Sequence, residues 1–104
     1  LNATTREQTD VANWLAGLGE PTRLMILKTL ATGSKNVTEL ARILNVEIVN
    51  VSHHLGVLRQ NKIVLDEKQG RFVIYRLAEG IEVKDQTLVL THVASKTVLT
   101  IPLH

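Results

Sequence analysis

Asn50, Ser52 and His53 lie within one helical turn of each other and carry an amide, a hydroxyl and an imidazole. These side chains hydrogen-bond to base edges and to phosphate oxygens. The amide of Asn50 has the geometry for a bidentate contact with adenine, worth about 1–3 kcal/mol of discrimination when made. Val49 or Ile48, just before them, has the apolar surface a thymine methyl needs. Further along, Lys68, Gln69 and Arg71 cluster around Gly70, where cations can track phosphates or enter a minor groove. Asn36 and Thr38 open another helical pattern, where they can donate to a phosphate beside free backbone amides, and Thr38 serves equally well as a local cap. Arg59 and Lys62 fall near the same track, with a structural ion pair as the alternative for Arg59. Each residue also has a plainer reading: a surface imidazole, a helix-surface hydroxyl, a solvated hairpin tip. Taken together, their chemistry is that of a double-stranded DNA reader.

The apolar periodicity supplies elements to aim them. Thr4 or Thr5 caps a first helix whose Val11, Trp14, Leu15 and Leu18 recur at i, i+3, i+4 and i+7, with Gly17 and Gly19 weakening its end. Glu20-Pro21 opens a second, with Leu24, Leu27, Leu30 and Ala31 as its stripe and Gly33 as its stop. A third runs from Val37 to Leu44, with Leu40 and Ile43 inward, and Leu44-Asn45-Val46 forms a tight turn. The fourth spans Glu47 to Asn61. At about 100° per residue it gathers Val51, Leu55 and Leu58 on one side and Val49, His53, Gly56 and Gln60 on the other, flanked by Asn50 and Ser52. Glu47 can cap this helix or favour cytosine, while His54 turns inward toward an interhelix hydrogen bond, with Arg23 as a structural residue of the second helix.

Strands at 63–67 and 72–77 make a hairpin around Lys68-Gln69-Gly70-Arg71. Beyond Gly80 the period changes to two. Residues 87–92 and 97–101 then form a C-terminal β-hairpin turning at Ala94-Ser95, led by a short strand at Ile81-Glu82-Val83. The expected fold is mainly α with a β-hairpin wing (α+β), a winged helix-turn-helix over residues 1–80, followed by a β-rich extension over 81–104.

A chain of 104 residues with 44% hydrophobic content can bury one core, and with 3% aromatic content that core rests on Leu, Ile and Val, Trp14, Phe72 and Tyr75 being the only rings. The net charge of +2 is uneven: residues 35–76 carry +3, residues 77–104 carry −1, and residues 1–34 balance. The absence of cysteine removes disulfides, thiolate ligands and a thiol switch, and is compatible with a reducing cytoplasm. No apolar run approaches the ~20 residues of a membrane span, and no signal-peptide pattern opens the chain, which begins at Leu1 as a trimmed chain would. There is no Gly-rich phosphate loop and no carboxylate pair beside a histidine in a catalytic motif, so enzyme chemistry is not expected. His92 has no metal-ligand spacing and reads as a strand-surface residue.

Residues 14–77 resemble the ArsR/SmtB family of bacterial winged-helix repressors, over about 60% of the chain. The resemblance is carried by Leu18-Gly19-Glu20-Pro21-Thr22-Arg23-Leu24-Met25-Ile26-Leu27 and Val37-Thr38-Glu39-Leu40-Ala41. It continues through Val51-Ser52-His53-His54-Leu55-Gly56-Val57-Leu58-Arg59 to Gly70-Arg71-Phe72-Val73-Ile74-Tyr75-Arg76-Leu77. It implies a cytoplasmic homodimer that represses transcription from a short inverted repeat, through helix 47–61 and wing 63–77, and leaves DNA on a chemical signal. Metal-sensing members carry Cys-x-Cys where this chain has Asn36 and Thr38, so neither a metal nor another cofactor is expected, and the inducer is not named. The family's last helix is replaced here by strand, and Asp85, His92 and His104 lack the helical spacing of its second metal site. The dimer surface is therefore assigned to the first helix, through Val11, Trp14, Leu15 and Leu18, or partly to β-structure. A winged-helix protein-interaction module, offering the C-terminal hairpin edge to a partner strand, is the alternative.

Overall fold

The computed structural model describes residues 5–104, so Thr4 lies outside the described residues. Helix α1 (Arg6–Leu18) starts at Thr5, whose hydroxyl accepts from the Gln8 backbone N–H while the Gln8 side chain accepts from that of Thr5. This reciprocal box satisfies two amides that the first turn leaves without partners. Helix α2 (Pro21–Leu30) begins where the Glu20 carboxylate accepts from the Arg23 N–H, with proline in the first turn. A two-residue strand β1 (Lys35–Asn36) then leads into α3 (Val37–Leu44) and α4 (Ile48–Gln60).

Both ends of the helix-turn-helix are closed by the same device. After α3, Asn45 takes φ +54°, and the Val46 N–H reaches back to the Ala41 carbonyl at 3.1 Å. After α4, Lys62 takes φ +59°, the Ile63 N–H bonds the Leu58 carbonyl at 2.9 Å, and Leu58 and Ile63 are both fully buried. A left-handed residue followed by that long reach and an apolar contact is a Schellman stop. It fixes the angle at which each helix hands over to the next element.

Strands β2 (Val64–Gln69) and β3 (Phe72–Leu77) form the wing, with β1 on the other side of β3 in the order β1-β3-β2. Gln69 pairs with Phe72, so the loop is the dipeptide Gly70-Arg71, and Gly70 supplies φ +62° at its first position. The strand is longer than the sequence pattern indicates, since Lys68 and Gln69 belong to β2 rather than to the turn. Pairing of Asn36 with Ile74 ties the wing to the start of α3.

Strands β4 (Ile81–Lys84), β5 (Thr87–His92) and β6 (Thr97–Pro102) form a second antiparallel sheet in sequence order. The extension is thus a three-stranded meander in which β4 is a full member, not only a lead-in to a hairpin. Its first loop, Asp85-Gln86, has both residues at positive φ without the Asn-Gly or Asp-Gly pair that announces such turns.

One core joins these layers. Ile26 and Leu27 of α2, Leu40 of α3, Val51, Leu55 and Leu58 of α4, and Leu88 and Leu90 of β5 all belong to it, together with Trp14 and Leu18. One expectation is corrected. Ile43 is 51% exposed, because the buried stripe of α3 is Val37, Leu40, Ala41 and Leu44, from which Ile43 is rotated away. Phe72 is exposed at the wing tip, with the Arg71 guanidinium 5.8 Å from its ring centre.

Candidate nucleic-acid interface

The inward face of α4 holds Val51, Leu55 and Leu58, each fully buried. Burying three branched side chains against α2, α3 and the wing base contributes on the order of 1.5–3 kcal/mol each, which sets the rotation of the helix about its axis. The other face is then forced outward. Val49, Asn50, Ser52, His53 and Gln60 are all exposed, Val49 to 76%. Glu47 is the N-cap residue of α4 but makes no side-chain capping bond, so its carboxylate remains free at the mouth of the helix.

A polar bolt joins α4 to α2 and α1. Arg23 donates from Nε to the Gly17 carbonyl at 2.7 Å and from Nη1 to His54 Nδ1 at 3.0 Å. Guanidinium nitrogens only donate, so His54 Nδ1 accepts and the neutral ring carries its proton on Nε2. Glu20 Oε2 stands 3.6 Å from the same Nδ1. It can pair there only if His54 protonates at that nitrogen and gives up the Arg23 bond. The Glu20 carboxyl is held below its ordinary value, first by the bond from the Arg23 backbone N–H, with burial as the next effect opposing it and the Thr22 backbone N–H and the Arg23 guanidinium adding smaller lowering. His53 packs edge-on to His54, ring centres 5.3 Å apart, so the outward imidazole is braced by the inward one.

The remaining sequence-assigned residues take these places. Asn36 caps α3: its side-chain oxygen accepts from Glu39 N–H at 2.8 Å while Glu39 accepts from the Asn36 N–H at 2.9 Å. The cap is therefore Asn36 and not Thr38, which stands exposed in the first turn of α3. Arg59 does make the ion pair, to Asp66 of β2 at 3.6 Å, with more than half of its side chain still exposed. Lys62 is exposed at the helix-to-wing joint, and Lys68, Gln69 and Arg71 line the wing tip. Arg42 and Arg76, counted in the charge of residues 35–76 but not singled out as contacts, are also exposed and add positive charge. Of the first-helix set, Trp14 and Leu18 are buried in the chain's own core and Val11 is half-buried, which leaves Leu15 as the member facing solvent at 42%. His92 is half-buried: its Nδ1 is bonded to the Ser95 hydroxyl at 2.7 Å and its ring lies 5.4 Å from that of Trp14.

Among the described residues no three His, Asp or Glu side chains come together as metal ligands, and no helix is long and apolar enough to cross a membrane. What the arrangement offers is an exposed stripe of about three turns along the 13-residue α4, beside a cationic hairpin and one helix N-terminus. An α-helix about 10–12 Å across fits the major groove of B-DNA, which is ~12 Å wide.

The family described as bacterial regulatory proteins of the arsR family matches residues 20–64. The chain is similar to a biofilm growth-associated repressor of Agrobacterium fabrum, 40% identical over 79 residues that cover 76% of this chain and 68% of the relative. It is similar to the HTH-type transcriptional regulator NmtR of Mycobacterium tuberculosis, 43% identical over 64% of this chain and 56% of the relative. The second comparison thus spans little more than half of that protein's length. The crystal structure of the transcriptional repressor BigR from Xylella fastidiosa superposes with a TM-score of 0.63 at 36% identity, covering 71% of this chain and 73% of that one.

Proposed function

The chain belongs to the arsR family of bacterial regulatory proteins, and from that premise we propose that it is a repressor acting as a homodimer on an inverted-repeat operator. It is a DNA-binding transcriptional regulator with a winged helix-turn-helix. Each copy sets α4 into a major groove, and Asn50, Ser52 and His53 meet base edges or phosphates. The wing residues Lys68, Gln69 and Arg71 lie along the flanking backbone, with Asn36, Thr38 and Lys62 at the phosphates between. Its site of action is the cytoplasm, where its operator is.

The observation that carries this reading is the split of α4, with one stripe fully buried and Val49, Asn50, Ser52, His53 and Gln60 on the opposite side exposed to solvent. The dimer is supported by an apolar groove between α1, α2 and β6, lined by Leu15, Leu18, Leu24, Leu99 and Ile101. A lone copy leaves that groove wet. Two recognition helices set about one duplex turn apart, ~34 Å, would read a pseudo-palindrome.

The protein-interaction alternative is not favoured, and one feature of β6 weighs against it. The Leu103 N–H donates to the Gln86 carbonyl, and the alternation this sets along β5–β6 turns the backbone groups of Val98, Thr100 and Pro102 toward the free edge. Pro102 has no N–H to offer there, which blunts the edge against strand addition.

The test is a fluorescence-anisotropy titration of the protein against duplexes it has itself enriched from a random pool, at two salt concentrations. Affinity should fall steeply with salt, by a log–log slope near −0.9 for each phosphate neutralised. Affinity that stays millimolar at low salt would overturn the DNA reading. Sedimentation showing only monomer at micromolar concentration would overturn the dimer.

A further inference from the structure

The outward stripe of α4 contains two residues that neither the fold nor hydrogen-bonded base reading accounts for. Val49 is 76% exposed and its neighbour Ile48 is half exposed, so the first turn of the helix presents branched aliphatic surface to water. That turn carries no acidic or basic residue of its own. Gly56 lies on the same stripe, two turns further on and about 20° around the axis from Val49. A Cβ built on Gly56 meets nothing within 4 Å. Glycine inside a helix destabilises it by about 1 kcal/mol relative to alanine, and here no neighbour among the described residues requires it. Gly17 is the contrast, since a Cβ there would strike the Asn61 side chain at 2.5 Å. A bare backbone on the exposed face leaves room for something outside the chain to come within contact distance of the helix.

We propose that α4 seats directly on the major-groove surface, with Val49 reading a thymine methyl and Gly56 giving the clearance that lets the helix approach so closely. This rests on the DNA-binding reading and names the bases it selects. Among the four bases only thymine offers an aliphatic group in the major groove, and an aliphatic side chain already free of its own core loses only water on meeting it. With Glu47 unbonded at the helix mouth, an apolar contact is also the one least disturbed by a nearby carboxylate.

The probe is the duplex enriched from the random pool, remade with deoxyuridine in place of one thymidine at a time. This change removes the C5 methyl and leaves base pairing intact. At the contacted position the parent protein should bind about fourfold more weakly, the worth of one buried methyl-sized group. Val49→Ala should bind the thymidine and deoxyuridine duplexes equally. Equal binding of every substituted duplex by the parent protein overturns methyl reading, as does a Val49→Ala protein that keeps the full preference for thymidine. Gly56→Ala should melt several degrees higher, by helix propensity, yet bind the same duplex at least tenfold more weakly. A Gly56→Ala protein that is more stable and binds unchanged overturns the close seating. If no duplex is enriched at all, the DNA reading itself fails, an outcome distinct from either of these.

Discussion

Replacing Arg23 by methionine tests whether the polar bolt under α4 holds the three helices in register. Methionine keeps an unbranched apolar stem of similar length, so the packing of the side chain is largely retained. What is lost is the bond to the Gly17 carbonyl at 2.7 Å and the bond to His54 Nδ1 at 3.0 Å. Gly17 is buried and lies in the last turn of α1, a turn with no basic residue of its own. The guanidinium therefore also serves as the cation that the carbonyl end of that helix attracts. Hydrogen bonds to a charged group contribute about 1.5–3 kcal/mol each. Arg23 is only half-buried, so the lower end of that range applies, and the two bonds together contribute about 3 kcal/mol. For a domain of this size that corresponds to roughly 10 °C or more in melting temperature. Urea unfolding followed by Trp14 fluorescence reads the loss directly. Arg23→Lys should recover only part of it, since a single ammonium cannot fork between the two acceptors. His54→Ala and the double variant close a cycle, with an expected coupling of about 1 kcal/mol. An Arg23→Met protein within about 0.5 kcal/mol of the parent, or a cycle with no coupling, would refute the bolt.

Three further outcomes are expected. Gly17→Ala should fail to stabilise the parent despite the helix propensity gained, because its Cβ meets the Asn61 amide that donates to the Val57 carbonyl at 3.0 Å. In an Asn61→Ala background the same substitution should stabilise by about 0.5–1 kcal/mol, and an equal effect in both backgrounds would disprove the contact. The Glu20 carboxyl titrates below its unfolded value of 4.5, so its contribution is full above that pH and is lost as pH falls through the lower folded value. Glu20→Gln should thus melt below the parent near neutral pH and converge with it in acid; a gap that persists unchanged to about pH 3 would contradict this. Lys68→Ala and Arg71→Ala should each lower the salt dependence of DNA binding by about one counterion, and an unaltered slope would remove that residue from the phosphate track.

The helical part of the fold was legible because its signals are local. The spacing of Val51, Leu55 and Leu58 oriented α4 correctly, and with it the outward placement of Val49, Asn50, Ser52 and His53. Asn36 was visible as a residue at a helix start, but its role as cap was not separable from Thr38 until the Glu39 reciprocity was seen. The β1 pairing with β3 was invisible, since two residues carry no period. The strand at Ile81-Glu82-Val83 was legible, but the loop at Asp85-Gln86 lacks the glycine that would have marked it, and this hid the pairing of β4 with β5.

The sequence by itself determined the period of each element, the face each helix buries, and the chemistry placed opposite that face. Those follow from bond geometry and from the cost of wetting apolar side chains, which act over a turn or two of chain. Only the tertiary structure decided that Arg59 pairs with Asp66, that Arg23 joins Gly17 to His54, and that Trp14 and Leu18 go to the core while Leu15 stays at the surface. These depend on which elements meet across long stretches of chain. The partner of a side chain is fixed by the packing of all the layers together, and no spacing within a single helix contains that information.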